Sequence, residues 1–104
     1  MVSATPASMA KSLVTPARLQ LRLYVSGNAP NSVRAIANIK AICDMHFAAA
    51  HDLEIVDILE NPQQALADGV IVSPTLLKLL PIPTARLIGD LSDTIRVLQT
   101  LTSP

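Results

Sequence analysis

The chain has 104 residues, half of them apolar, with one Phe, one Tyr and no Trp. That allows a single modest domain whose core is built from Leu, Ile, Val and Ala. Eight basic and eight acidic side chains cancel, which excludes the strong overall field that recruits nucleic acid or a membrane surface. One cysteine, Cys43, excludes an internal disulfide and suits a reducing, cytoplasmic setting, and no apolar run approaches the roughly 18 residues of a membrane span.

Residues 1–17 are rich in Ala, Ser, Thr and Pro without usable periodicity, and read as a disordered extension before a domain over 18–104. Leu19, Leu21, Leu23 and Val25 alternate with Gln20, Arg22 and Tyr24, the period of a strand with one buried face. Gly27-Asn28-Ala29-Pro30 breaks that strand, and a helix is expected from Pro30 with Asn28 as a candidate cap. Ile36, Ile39, Cys43 and Phe47 then recur at helical spacing. The apolar run Leu53–Leu59 predicts a second strand, central in the sheet. Asn61-Pro62 with Gln64 resembles a capping box for a short helix ending at Gly69. Val70–Val72 predicts an apolar strand leading to Pro74, ready to be a cis-proline, while Thr75–Leu80 suits an edge strand or a helix face. Arg86–Ile88 is a short strand, and Asp90 or Ser92 can cap a last helix through Leu101. The order β-α-β-α-β-β-α is that of a thioredoxin-like α/β domain, its first two strands parallel by the right-handed crossover rule.

Charge is unevenly ordered. Residues 1–43 hold five basic groups and no acid, whereas 44–68 hold six acids and no base. This predicts either two faces of opposite sign suited to a heterologous contact, or two solvated faces that merely differ.

A thioredoxin-type redox centre needs a thiolate at the first helix's N-terminus, yet Ser26–Ser32 contains no cysteine. Cys43 lies about three turns further on, in the apolar stripe, and reads as a small buried hydrophobe; a redox enzyme using Cys43 is the alternative. Cys43, His46 and His51 with Asp44 make a weak metal set, since zinc asks for four ligands or three plus water, and ordinary helix-end histidines are the reading taken. No metal, cofactor or catalytic group is expected.

The segments Leu23-Tyr-Val-Ser-Gly-Asn-Ala-Pro-Asn-Ser-Val-Arg34, Val56-Asp-Ile-Leu-Glu-Asn-Pro-Gln63, Ser73-Pro-Thr-Leu76 and Ile88-Gly-Asp-Leu-Ser92 closely resemble the KaiB family of the cyanobacterial clock. The input domain of the histidine kinase SasA shares parts of the pattern. The resemblance implies a non-enzymatic adaptor that binds a KaiC-type ATPase ring and helps set its phosphorylation state, with KaiA or a SasA-like kinase as further partners. A sensor or scaffold module for a kinase is the third reading. It also implies exchange between the thioredoxin-like monomer and a tetrameric ground-state fold, with Pro74, Pro81 and Pro83 at the positions that become cis. Of the family's basic contact positions, Arg34, Lys78 and Arg86 remain, whereas Glu54, Glu60 and Gly69 stand where clock members tend to carry lysine. Thr100 replaces a glycine and so removes easy access to positive φ, which tilts the expectation toward the thioredoxin-like form.

Overall fold

A computed structural model describes residues 18–102; the segment 1–17 expected to be a disordered extension lies outside the described residues, as do 103 and 104. The elements are β1 (Leu19–Val25), α1 (Pro30–His46), β2 (His51–Asp57), α2 (Pro62–Ala67), β3 (Thr75–Leu80), β4 (Ala85–Ile88) and α3 (Thr94–Thr102). They form a four-stranded mixed sheet in the order β2-β1-β3-β4. β1 runs parallel to β2 and antiparallel to β3, and β4 closes the sheet antiparallel to β3. This is the thioredoxin-like architecture that the element order implied.

The alternation along β1 separates two cores. Leu19, Leu21, Leu23 and Val25 meet Ala35, Ile39, Ile42 and Cys43 of α1, together with Leu76, Leu87, Leu91, Val97 and Leu101. α1 and α3 therefore cover one face of the sheet. On the opposite face Tyr24, Val56, Ala65, Val70 and Leu77 make a smaller cluster, to which α2 supplies only Ala65. Burying one large aliphatic side chain stabilises a fold by about 1.5–3 kcal/mol, so the thirteen-residue cluster far outweighs the five-residue one.

Five local expectations give way. β2 is an edge strand rather than a central one; its apolar residues are divided between both faces, and only Val56 is fully buried. Val70–Val72 is a loop, and the strand begins at Thr75, whose hydroxyl turns back to donate to the Val72 carbonyl at 2.6 Å. That settles Thr75–Leu80 as strand. α1 starts from Ala29 without a side-chain cap, and Asn61 sends its amide back to the Asp57 carbonyl at 3.2 Å instead of capping α2. The cap of α3 is Asp93, whose carboxylate accepts from the Arg96 N–H at 3.1 Å, while Asp90 accepts from Ser92 in the preceding turn.

The thin face is fastened by charge. Tyr24 Oη donates to Asp68 Oδ2 at 2.5 Å, and Arg22 bridges Glu54 at 2.7 Å and the same Asp68 oxygen at 2.9 Å. Arg86 donates to the carbonyls of Asp68 at 2.7 Å and Gly69 at 2.8 Å. The Asp68 carbonyl is the C-cap acceptor of α2, at the negative end of the helix dipole, and the Gly69 carbonyl follows it. The Tyr24 hydroxyl, and after it Arg22, hold the Asp68 carboxyl below the usual carboxylate range. Burial, and then Asp68, push Tyr24 up to about 12. The sequence's two charge blocks thus meet as ion pairs, Arg18–Asp52 at 2.6 Å being another, rather than separating into two faces.

Because the folded carboxyl of Asp68 titrates below its unfolded value, its contribution is complete above about pH 4 and lost as pH falls through the folded pKa. Asp68→Asn should cost about 1–3 kcal/mol at pH 7, a fall in Tm of about 4–8 °C for each kcal/mol in a domain this small. Thermal melts followed by circular dichroism should show the gap to wild type narrowing toward pH 3. An equal gap at both pH values would remove the charge of Asp68 as its cause.

Candidate functional site

The turn after β1 occupies the place where a thioredoxin-type protein keeps its reactive thiols. Gly27 takes a left-handed φ of 49°, which lets the chain reverse between Val25 and Pro30. Ser32 is buried in the first turn of α1 and its hydroxyl accepts from the Ser26 N–H at 3.0 Å. The hydroxyls of Ser26 and Ser73 share a hydrogen bond of 2.5 Å, and the Asp57 carboxylate accepts from the Gly27 N–H at 3.3 Å. Two of these hydroxyls are bonded to each other and the third to the turn's backbone, and an alcohol there cannot exchange with a disulfide.

Cys43 lies in the larger core with no exposed surface. Burial, and after it the Asp44 carboxylate, push its thiol up to about 11. A thiol held that high is protonated at neutral pH and inert as a nucleophile. The other members of the metal set are turned elsewhere. Asp44 and His46 are exposed, and His51 Nδ1 lies 2.7 Å from the Phe47 carbonyl. Among the described residues no group of three His, Cys, Asp or Glu side chains is arranged to hold a metal ion.

The three basic residues carried by the resemblance are not brought together. Arg34 stands on the exposed side of α1, bonded to Asn31 and 3.4 Å from Asp90. Arg86 is exposed on β4, on the face covered by α2. Lys78 is only 2% exposed; its place between Leu77 and Leu79 in β3, opposite Leu21, makes it part of the sheet's interior rather than a surface cation. The electrostatic expectation therefore carries over to Arg34 and Arg86 alone. The prolines lie at the two ends of β3: Pro74 is buried just before it, and Pro81 and Pro83 form the turn into β4. The Ser73–Pro74, Leu80–Pro81 and Ile82–Pro83 bonds are all cis.

Sequence reasoning missed Asp68 and Tyr24. The available signal was Arg22 and Tyr24 on the polar side of a central strand, where a tyrosine and a cation both ask for an acceptor. The exposure of Ile71, Val72 and Ile88 is likewise not signalled by the sequence, since apolar residues in short strand-like runs look the same whether or not a neighbour covers them.

The chain matches the KaiB domain over residues 22–103. It is 50% identical over 78 residues to the circadian clock oscillator protein KaiB of Synechococcus elongatus, covering 75% of this chain and 76% of that one. The same identity holds to the KaiB of a Nostoc species, with 75% and 72% covered. Among solved structures, the N-terminal domain of SasA from Synechococcus elongatus superposes with a TM-score of 0.70 at 25% identity, over 88% of this chain and 90% of that one. Mitochondrial thioredoxin 3 of Saccharomyces cerevisiae reaches 0.69 at 10% identity, over 94% and 90%, a likeness of fold alone. Among the described residues no helix is long and apolar enough to cross a membrane. A thioredoxin-like frame with serines in its first turn, matched in sequence along most of its length, places this chain in the KaiB family of circadian clock proteins.

Proposed function

We propose that this chain is a cytoplasmic adaptor without catalytic activity, which binds a KaiC-type ATPase and modulates its phosphorylation state. KaiA or a SasA-like histidine kinase are the further partners this reading allows. The observation that carries it is the serine-filled turn, Ser26 bonded to Ser32 and Ser73, in a chain half identical to KaiB over most of its length. A frame that has given up its reactive position has its surfaces left to work with. Arg34 and Arg86 are the exposed cations we assign to the partner contact. The runner-up, a redox enzyme using Cys43, is disfavoured by that thiol's burial.

The reading is tested by immobilising the host's KaiC-type hexamers, with and without ATP, and measuring association of the full chain by biolayer interferometry. Exposed charges near an interface act mainly on association rate and salt dependence. Arg34→Glu should therefore slow association several-fold at low ionic strength, flatten the salt dependence and leave dissociation nearly unchanged. Unaltered kinetics at low salt would take Arg34 out of the contact.

Cys43→Ala separates the adaptor from its rivals. Removing one sulfur from the core should lower stability by about 1 kcal/mol and leave partner binding intact. In the wild type, iodoacetamide at pH 8 should label Cys43 only after denaturation. Loss of binding in a variant that still melts cooperatively would restore the redox and metal readings.

A further inference from the structure

Three aliphatic side chains in the second half of the chain stand out to solvent: Ile71 in the loop before β3 is 88% exposed, Val72 46%, and Ile88, on the α2 face of β4, 61%. Val72 and Ile88 both flank Thr75, and Ile71 precedes Val72 in the same loop. Ile88 is the cross-strand partner of Thr75, and the Thr75 hydroxyl donates to the Val72 carbonyl. The Gly89 N–H donates to the Pro74 carbonyl at 3.0 Å, closing the same corner. Arg86, two residues before Ile88, projects from the same face of β4. Its guanidinium donates to the carbonyls of Asp68 and Gly69 and acts through space on the Asp68 carboxylate, without a close ion pair among the described residues. β4 is also the outermost strand, bonded only to β3, so its other edge offers free backbone donors and acceptors.

We propose that Ile71, Val72 and Ile88, with Arg86 at their rim, form a docking surface for an extended, acidic-aliphatic segment of a partner protein. β-Branched side chains at alternate positions fit a pleated, half-buried surface, and an open edge takes an added strand through its backbone. A carboxylate on that segment matches the charge of Arg86, an exposed guanidinium that makes no close ion pair among the described residues. Clustered exposed aliphatics rimmed by a polar group mark contact surfaces, whereas single ones do not. The surface deepens the adaptor reading and rests on it for the partner's identity.

The experiment compares binding of the full chain and four variants to the KaiC-type hexamer. Ile71→Asp and Ile88→Asp should each weaken binding about tenfold or more, the range of a central interface position, and Arg86→Gln severalfold. Met45→Asp, at an exposed position on α1, should bind like wild type. All five melting temperatures are recorded, so that lost binding is read only from folded protein. If Arg86→Gln loosens α2, the two isoleucine variants still decide the matter. Wild-type affinity in both of them overturns the surface and leaves the adaptor reading standing.

If wild type binds no hexamer, the adaptor reading fails and the surface is probed alone. A synthetic peptide alternating Val and Thr with one Asp, and its Asp→Asn twin, are titrated into ¹⁵N-labelled chain. Larger amide shifts at residues 71, 72 and 86–88 with the Asp peptide support the docking surface; absent or scattered shifts overturn it. Sedimentation that shows self-association abolished by Ile88→Asp would give the surface to a second copy of this chain and overturn the partner segment.

Discussion

One carboxylate fastens the second half of this chain to the first. Asp68 lies at the end of α2, yet its oxygen is held by Tyr24 and Arg22 of β1, the strand on which both cores are built. The larger core fixes α1 and α3 without help. The α2 face has only five buried apolar residues, and α2 is six residues long, too short to hold its own conformation in water. Its position, and through it the path of residues 69–74 back to β3, rests on the ionic contact. A carboxylate that receives a tyrosine hydroxyl and a guanidinium is worth more than a neutral pair. Losing either donor leaves a half-buried charge short of partners. Among the described residues no buried side-chain polar atom is left in that condition.

The pairing explains why a chain with segregated charge does not become a molecule with segregated charge. Two parallel strands joined by a helix lie side by side, so the basic block that includes β1 meets the acidic block that includes β2. Register does the rest, setting Arg22 directly beside Glu54. The pairs are unequal. Arg18 and Asp52 are each more than half exposed, and such a pair is screened and contributes little. Arg22 and Asp68 are about a quarter exposed, and their contact is the one that decides where α2 sits.

What the sequence made legible follows from period and punctuation. β1 reads directly because its alternation is strict, α1 because Pro30 opens it, and α2 because Pro62 and Gly69 bracket it. The missing thiols at Ser26–Ser32 were equally plain. Edge or central position was not legible, because β2 carries apolar residues on both faces and hydropathy cannot say whether a neighbour covers them. Nor was the burial of Lys78, since a lysine within an aliphatic strand reads as its solvent-facing member until β3 is known to sit between two other strands. Asp68 was invisible for a related reason: its partners lie more than forty residues away, and only the path of α2 across the sheet brings them near.

The serine turn has the geometry of a thioredoxin-like frame without its thiols. In a thiol enzyme, the first turn of α1 and the residue before the buried proline form a gap in which a substrate disulfide is attacked. Here Ser26, from the first half of the chain, and Ser73, from the second, close that gap with a hydrogen bond. The Ser26–Ser73 bond is a second tie between the halves, at the far end of the loop 69–72 from Asp68. With both ends of that loop tied down, it is displayed rather than left to collapse onto the thin core. Ile71 and Val72 stay in solvent beside Ile88 although burial of aliphatic surface favours the opposite. With that gap closed and the aliphatic loop held outward, the side of the sheet rather than its end is the surface proposed for contact.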